Sequence, residues 1–313
     1  MSEVLTESIN DKRAWTAKTV DPQEAWTTVL SKACLEELVR TAQGVGGPTT
    51  EIRVRREDLS LSRFALAPVT EAIESGRGFA VIDRLPLENR SAEEVVRIYW
   101  MIGQILGDPF GQDIKGTLLY DVTDTGQNVA EGARFSVTNA ESTFHTDGAF
   151  NPHVPDIVGL LCLQAAKSGG ESQLVSAVAV HNALLENHQE VLERLYDVFC
   201  FDRRGQFREG EDPFTETPIY RWDGSELIHR YMNLYVEVGH QLAERPLTAD
   251  REAALELMER LVQREDLRVE FSLERGQMLF TNNRWILHNR TAFEDHPEPE
   301  KRRHYVRLWL SRK

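Results

Sequence analysis

Phe144-His145-Thr146-Asp147-Gly148 sets an imidazole and a carboxylate two residues apart near the middle of the chain. Side chains alternate along an extended segment, so a spacing of two puts both on one face. An imidazole and a carboxylate on one face are two thirds of a facial metal triad, which a second imidazole from elsewhere would complete. Alone the pair is ambiguous, because a surface His next to a turn-forming Asp-Gly has the same spelling. The other parts of a site have to come from the rest of the chain.

Three stretches downstream offer such parts. Ser168-Gly169-Gly170-Glu171-Ser172 follows an apolar run, Asp156 to Gln164, that is expected to be a strand inside a sheet sandwich. It reads as a tight turn, or as a turn that sets the Ser172 hydroxyl beside a bound anion. Trp285-Ile286-Leu287-His288-Asn289-Arg290 lies just after an expected strand, Met278 to Thr281, and His288 offers the distal imidazole. Its other reading is a structural hydrogen-bonding His. The last strand contains Arg302-Arg303-His304-Tyr305-Val306-Arg307-Leu308-Trp309-Leu310. Alternation puts Arg303, Tyr305, Arg307 and Trp309 on one face and Val306, Leu308 and Leu310 on the other. Guanidinium suits a carboxylate inside a pocket, since its fork is bidentate and stays charged. The competing reading is an edge strand protected by charge.

The rest of the chain predicts how these stretches are carried. Asp21-Pro22 opens a helical pattern running to about Ala42, and Leu66 to Glu74 is a short helix. Gly78 to Ile82 is a buried strand closed by Pro86. Ser91 with Glu94 forms a capping box for a helix to about Leu106. Thr117 to Val122, Arg134 to Thr138 and Leu227 to Val236 are candidate strands. Residues 176–200 and Thr248 to Arg264 are helical, and Asp202 to Pro218 is a polar loop of lid character. Arg268 to Leu273 and His304 to Ser311 are strands. Helices first, then strands with a helical insertion, then strands again is no βαβ alternation. The expectation is an α+β fold with a two-sheet jelly-roll or barrel core dressed with helices. Residues 1–77 form a helical segment packed on a catalytic domain at 78–313, one catalytic domain overall.

Composition narrows the function. A net charge of −14 over 313 residues argues against a nucleic-acid partner held by phosphate neutralisation. The three cysteines, Cys34, Cys162 and Cys200, are widely spaced and odd in number, as expected of reduced thiols in a cytoplasmic protein. Met1-Ser2-Glu3-Val4 does not open a secretory signal, and the apolar run Ile157 to Leu163 is too short to span a membrane. The expected partner is a small molecule. A homo-oligomer is compatible with the sequence.

Taken together, His145-Thr146-Asp147, Gly169-Gly170-Glu171-Ser172, His288 and Arg303 with Arg307 stand in an order and spacing that resemble the taurine dioxygenase-like superfamily. That group includes the 2,4-dichlorophenoxyacetate dioxygenases and clavaminate synthase-like enzymes. The resemblance runs from about Gly78 to Trp309. It implies a double-stranded β-helix core and an oxygenase that uses iron(II), 2-oxoglutarate and dioxygen and releases succinate and CO2. It implies that His145, Asp147 and His288 hold the iron, and that Arg303 and Ser172 bind the distal carboxylate of 2-oxoglutarate. Arg307 resembles the family's second arginine, near the C1 carboxylate or an anionic substrate group. A carboxylate at Asp147 speaks for hydroxylation or another hydrogen-abstraction outcome, desaturation or ring closure, and against halogenation. Gln112, Arg134, Asn139, Phe150 and Asn151, with Arg203, Arg204 and Arg208 of the polar loop, are substrate candidates. The insertion between Ser176 and Arg275 departs from the taurine enzyme, so a sulfonate substrate is not carried over; a small polar, anionic or zwitterionic metabolite is expected. A zinc hydrolase with the same triad would have no need of the dicarboxylate cradle. A silent binding protein would have no need of both triad and cradle.

Overall fold

The computed structural model describes residues 3–55, 57–85, 90–128 and 134–312; Pro86 lies outside them. Two β-sheets face one another, and helices cover the outer face of the larger one. The major sheet has seven strands and runs Thr27–Thr28, Phe79–Ile82, Met278–Asn282, Ile157–Gln164, His304–Ser311, with Asp108–Pro109 and Leu119–Val122 both pairing with His304–Ser311. Only the short Thr27–Thr28 pairing is parallel. The minor sheet is antiparallel and runs Arg268–Phe271, Ser172–Ser176, Ile286–Arg290. This is the double-stranded β-helix arrangement, with two open sheets rather than a closed barrel.

The long central strands Phe79–Ile82, Ile157–Gln164, Met278–Asn282 and His304–Ser311 are buried on both faces, which explains their apolar runs. Leu161, Met278, Phe280, Val306, Leu308 and Leu310 face the helices Lys32–Gly44 (α1), Ser60–Glu74 (α2) and Ala92–Leu106 (α3). Leu38, Leu66, Ile73, Ile98 and Ile102 fill that layer from the helix side. Each such side chain contributes about 1.5–3 kcal/mol on leaving water. The opposite face, with Cys162, Leu279 and Tyr305, looks toward Leu174 of the minor sheet, and the site opens within this second layer. Ser91 and Glu94 make the expected capping box at the start of α3.

Several elements differ from the sequence expectation. The first helix begins at Lys32, not at Pro22, because Ser31 caps it by accepting from the Cys34 N–H and the preceding residues form a 3-10 turn and the Thr27–Thr28 strand. Arg134 to Thr138 is not a strand: Phe135–Val137 is a 3-10 turn. Leu227–His229 is a strand, but Asn233–Leu242 is a helix. The polar Asp202 to Pro218 segment closes a hairpin, Val198–Asp202 against Phe214–Pro218. Helices Ala177–Asn187 (α4), Gln189–Leu195 (α5), Asn233–Leu242 (α6) and Ala249–Val262 (α7) complete the insertion. No helix among the described residues is long and apolar enough to cross a membrane.

Candidate active site

His145 and Asp147 are not on a strand. His145 makes a single two-way bridge with His288, N–H to carbonyl at 3.0 and 3.1 Å, and Asp147 sits in the turn that follows. The bridge sets the two imidazoles against each other, with centroids 4.2 Å apart. His288 lies mid-strand in Ile286–Arg290, opposite Leu174. One ligand atom from each of His145, Asp147 and His288 falls within 4.8 Å of the others.

Local bonds orient each group. His145 Nδ1–H donates to the Thr143 carbonyl at 3.0 Å, which leaves Nε2 facing the cluster. Thr143 reaches that position in the left-handed region, φ +56°, a strain of the kind stored at functional sites. Asn283 holds the Asp147 backbone from both sides, accepting its N–H and donating to its carbonyl. Burial opposes ionisation of Asp147, but the Arg307 charge and the two imidazoles outweigh it and keep the carboxyl well below its usual range. His288 is pushed down to about 3 by burial and then by His145, so it stays a neutral, metal-competent imidazole.

A cavity on one side of the cluster is lined by Ser172, Leu174, Leu279, Arg290, Arg303 and Arg307 among others. Arg303 is 5% exposed, and its Nε and Nη1 have no hydrogen-bond partner among the described residues. Its guanidinium lies over the Tyr305 ring at 3.9 Å, and burial lowers its pKa. A buried, unmatched guanidinium is costly unless a ligand meets it. The donor set therefore fits a dicarboxylate beside a His/Asp/His metal site. Arg290 stands two residues past His288 on the same strand, and the sequence reading did not assign it to the site. It is held by the Thr138 carbonyl at 2.9 Å and the Ala140 carbonyl, and burial followed by the nearby Arg303 charge lowers it to about 9.

A second cavity opens on the far side of the cluster, past Arg134, Phe150, Met232, Tyr235 and Trp309. Arg307 borders both cavities. Of the substrate candidates, Arg134 and Phe150 line this second cavity. Arg204 reaches it indirectly, over the Tyr235 ring at 5.5 Å, while paired with Asp202 at 3.2 Å. Gln112 is also there, but its amide is consumed: Oε1 accepts from Arg307 Nε at 2.8 Å, and Nε2 donates to the carbonyls of Leu118 and Arg307. Asn139 is exposed and lines neither cavity, and Arg203 is paired with Glu211. Tyr235 and Met232 were missed because their segment read as a strand. The alternation that placed Trp309 beside the arginines was the signal for it.

A family profile described as "Taurine catabolism dioxygenase TauD, TfdA family" matches residues 46–309. FR-33289 synthase of Streptomyces rubellomurinus is 27% identical over 319 residues, spanning 99% of this chain and 92% of the relative. Among solved structures, an asparagine oxygenase in complex with Fe(II), 2S,3S-3-hydroxyasparagine and succinate superposes with a TM-score of 0.69 at 20% identity, over 91% of this chain and 93% of that one. The non-haem iron oxygenase OrfP, in complex with Fe and alpha-ketoglutaric acid, gives 0.68 at 16% identity, over 92% and 94%. These two share the fold.

Proposed function

Since the chain belongs to the TauD/TfdA dioxygenase family, and so is an iron- and 2-oxoglutarate-dependent oxygenase, we propose that it hydroxylates an unactivated C–H bond of a small polar or anionic metabolite. In this reading His145, Asp147 and His288 hold the iron, and Arg303 with Ser172 holds the distal carboxylate of 2-oxoglutarate. The iron and its co-substrate, when bound, supply the oxidising chemistry and release succinate and CO2. The protein's own work is binding, orientation and exclusion of water. The observation that carries the reading is the buried Arg303, with two unmatched donors, in the same cavity as the triad.

The substrate side follows from the second cavity. Arg134 lines it with a charge that the Asp113 carboxylate also feels, and the Phe150 and Tyr235 rings lie tilted to each other with centroids 5.9 Å apart. A cation near aromatic walls suits a molecule with an acidic group on a compact apolar body. Arg307 separates this space from the Arg303 cavity, so one guanidinium can sense both occupants. An amino-acid-sized substrate is supported by the asparagine oxygenase, whose structure contains a hydroxylated asparagine. The test is succinate release over a panel of amino acids, N-acyl amino acids and phosphonates, each with mass analysis of the product. A mass gain of one oxygen on an acidic member is expected. A loss of two hydrogens instead would replace hydroxylation by desaturation or ring closure, and turnover confined to neutral compounds would contradict the substrate class.

A further inference from the structure

Both carboxylate oxygens of Asp147 are already claimed by the last strand. Trp309 Nε1–H donates to Oδ2 at 2.9 Å, while Arg307 Nη1 lies 3.1 Å from Oδ1. The two imidazoles also approach Oδ1, with Nε2 at 3.5 Å for His145 and 3.8 Å for His288. The carboxylate is thus divided, with one oxygen turned to the imidazoles and the other engaged by an indole. An indole N–H is a donor only, so this bond has a single direction.

Trp309 is held rigidly enough for that task. It is 3% exposed, packs on Phe110 with centroids 6.0 Å apart, and pairs with Val158 across the major sheet. Gly148, the last residue of the opening stretch, makes room for it. A Cβ there would come within 3.1 Å of Trp309 Cη2 and 2.8 Å of Asn151 Nδ2, at φ +62°. The glycine after Asp147 and the tryptophan at 309 are two halves of one arrangement.

We propose that Trp309 is a positioning residue for the metal: its N–H holds Oδ2 so that Asp147 offers the iron Oδ1 alone, leaving the remaining positions for co-substrate and dioxygen. This rests on the proposed ligand role of His145, Asp147 and His288. A carboxylate free to turn would offer both oxygens and bind less selectively. Partners of this kind that orient a metal ligand are worth roughly 10–100-fold in metal affinity.

The test is Mn(II) titration of the metal-free protein, read by the resonance signal of free Mn(II), with the visible band of the anaerobic iron(II)–2-oxoglutarate complex as a second readout. Trp309→Phe is expected to weaken Mn(II) binding roughly tenfold or more and to move the band. Trp309→His, a smaller ring that keeps an N–H, is expected to bind Mn(II) more tightly than Trp309→Phe. Phe110→Leu, which loosens the packing of the indole and keeps its N–H, is expected to lose less Mn(II) affinity than Trp309→Phe. Equal Mn(II) affinity and an unmoved band in wild type and Trp309→Phe would overturn the role of Trp309, as would equal losses in Trp309→Phe and Phe110→Leu. Wild-type protein that binds no Mn(II) would overturn the ligand assignment beneath it as well.

Discussion

Arg303 illustrates how a single side chain separates the two halves of the site. It is buried with Nε and Nη1 unmatched, yet it is not among the three groups that cluster for a metal. Arg303→Ala therefore removes two charge-assisted hydrogen bonds to a bound carboxylate, worth about 3 kcal/mol or about 100-fold in 2-oxoglutarate affinity. Metal affinity is expected to stay within a few-fold of wild type. Parallel calorimetric titrations with 2-oxoglutarate and Mn(II) check this, and equal losses of both would mean that the cradle lies elsewhere. That His145, Asp147 and His288 come together and that Arg303 and Arg307 line one cavity was legible through residue type and the family resemblance, although His145 and Asp147 lie in a bridge and a turn and not on the strand their spacing predicts. Trp309 was placed on the right face, but its bond to Asp147 crosses 162 residues of sequence and has no local signature. Gln112 shows the converse. A polar residue near the pocket reads as a substrate contact, whereas in the fold every polar atom of its amide is spent on Arg307 and Leu118.

At the scale of the element, strands buried on both faces announced themselves and the insertion did not. Ile157–Gln164, Met278–Asn282 and His304–Ser311 fall where their apolar runs or alternation put them. The Val198–Asp202 and Phe214–Pro218 hairpin was hidden because its second strand is polar and only half-buried. Leu227 to Val236 joins a strand to the start of a helix, and neither piece is long enough to establish a period of its own. That helix, α6, places Tyr235 on the second cavity and is held against the hairpin by Gly239. A Cβ at Gly239 would lie 2.3 Å from the Cys200 carbonyl oxygen and 2.7 Å from the Asp202 nitrogen. Gly239→Ala is expected to push α6 off the hairpin at a cost of about 1–3 kcal/mol, lowering the urea midpoint. Because Arg303 and Ser172 lie on other elements, 2-oxoglutarate affinity should persist while substrate-dependent succinate release falls. An unchanged urea midpoint would contradict the tight approach.

For the whole molecule, two histidines away from the site make stability depend on pH. His229 is 1% exposed with neither ring nitrogen bonded among the described residues, and burial and then His181 lower it to about 3. His181 is lowered to about 4 by burial. Both folded-state values lie below that of the unfolded chain, about 6.5. Between about pH 6.5 and pH 4 the unfolded chain therefore takes up protons that the folded one refuses, and stability falls as pH falls, by up to about 1.4 kcal/mol per pH unit for each His. Urea denaturation at pH 7.5 and pH 5 should show this loss, and His229→Phe should reduce it; an undiminished loss would place the proton uptake elsewhere. The architecture of helices on a major sheet, facing a minor sheet that encloses the site, puts His145 and His288 within one bridge of each other despite their distance in sequence. The central claim is that this bridge and Asp147 hold iron(II) with 2-oxoglutarate beside it. Its most direct test is anaerobic addition of iron(II) and 2-oxoglutarate to the metal-free protein, followed by visible absorption. A weak charge-transfer band in the wild type that is lost in His145→Ala is the predicted result; no band in the wild type, or an undiminished band in His145→Ala, would contradict it.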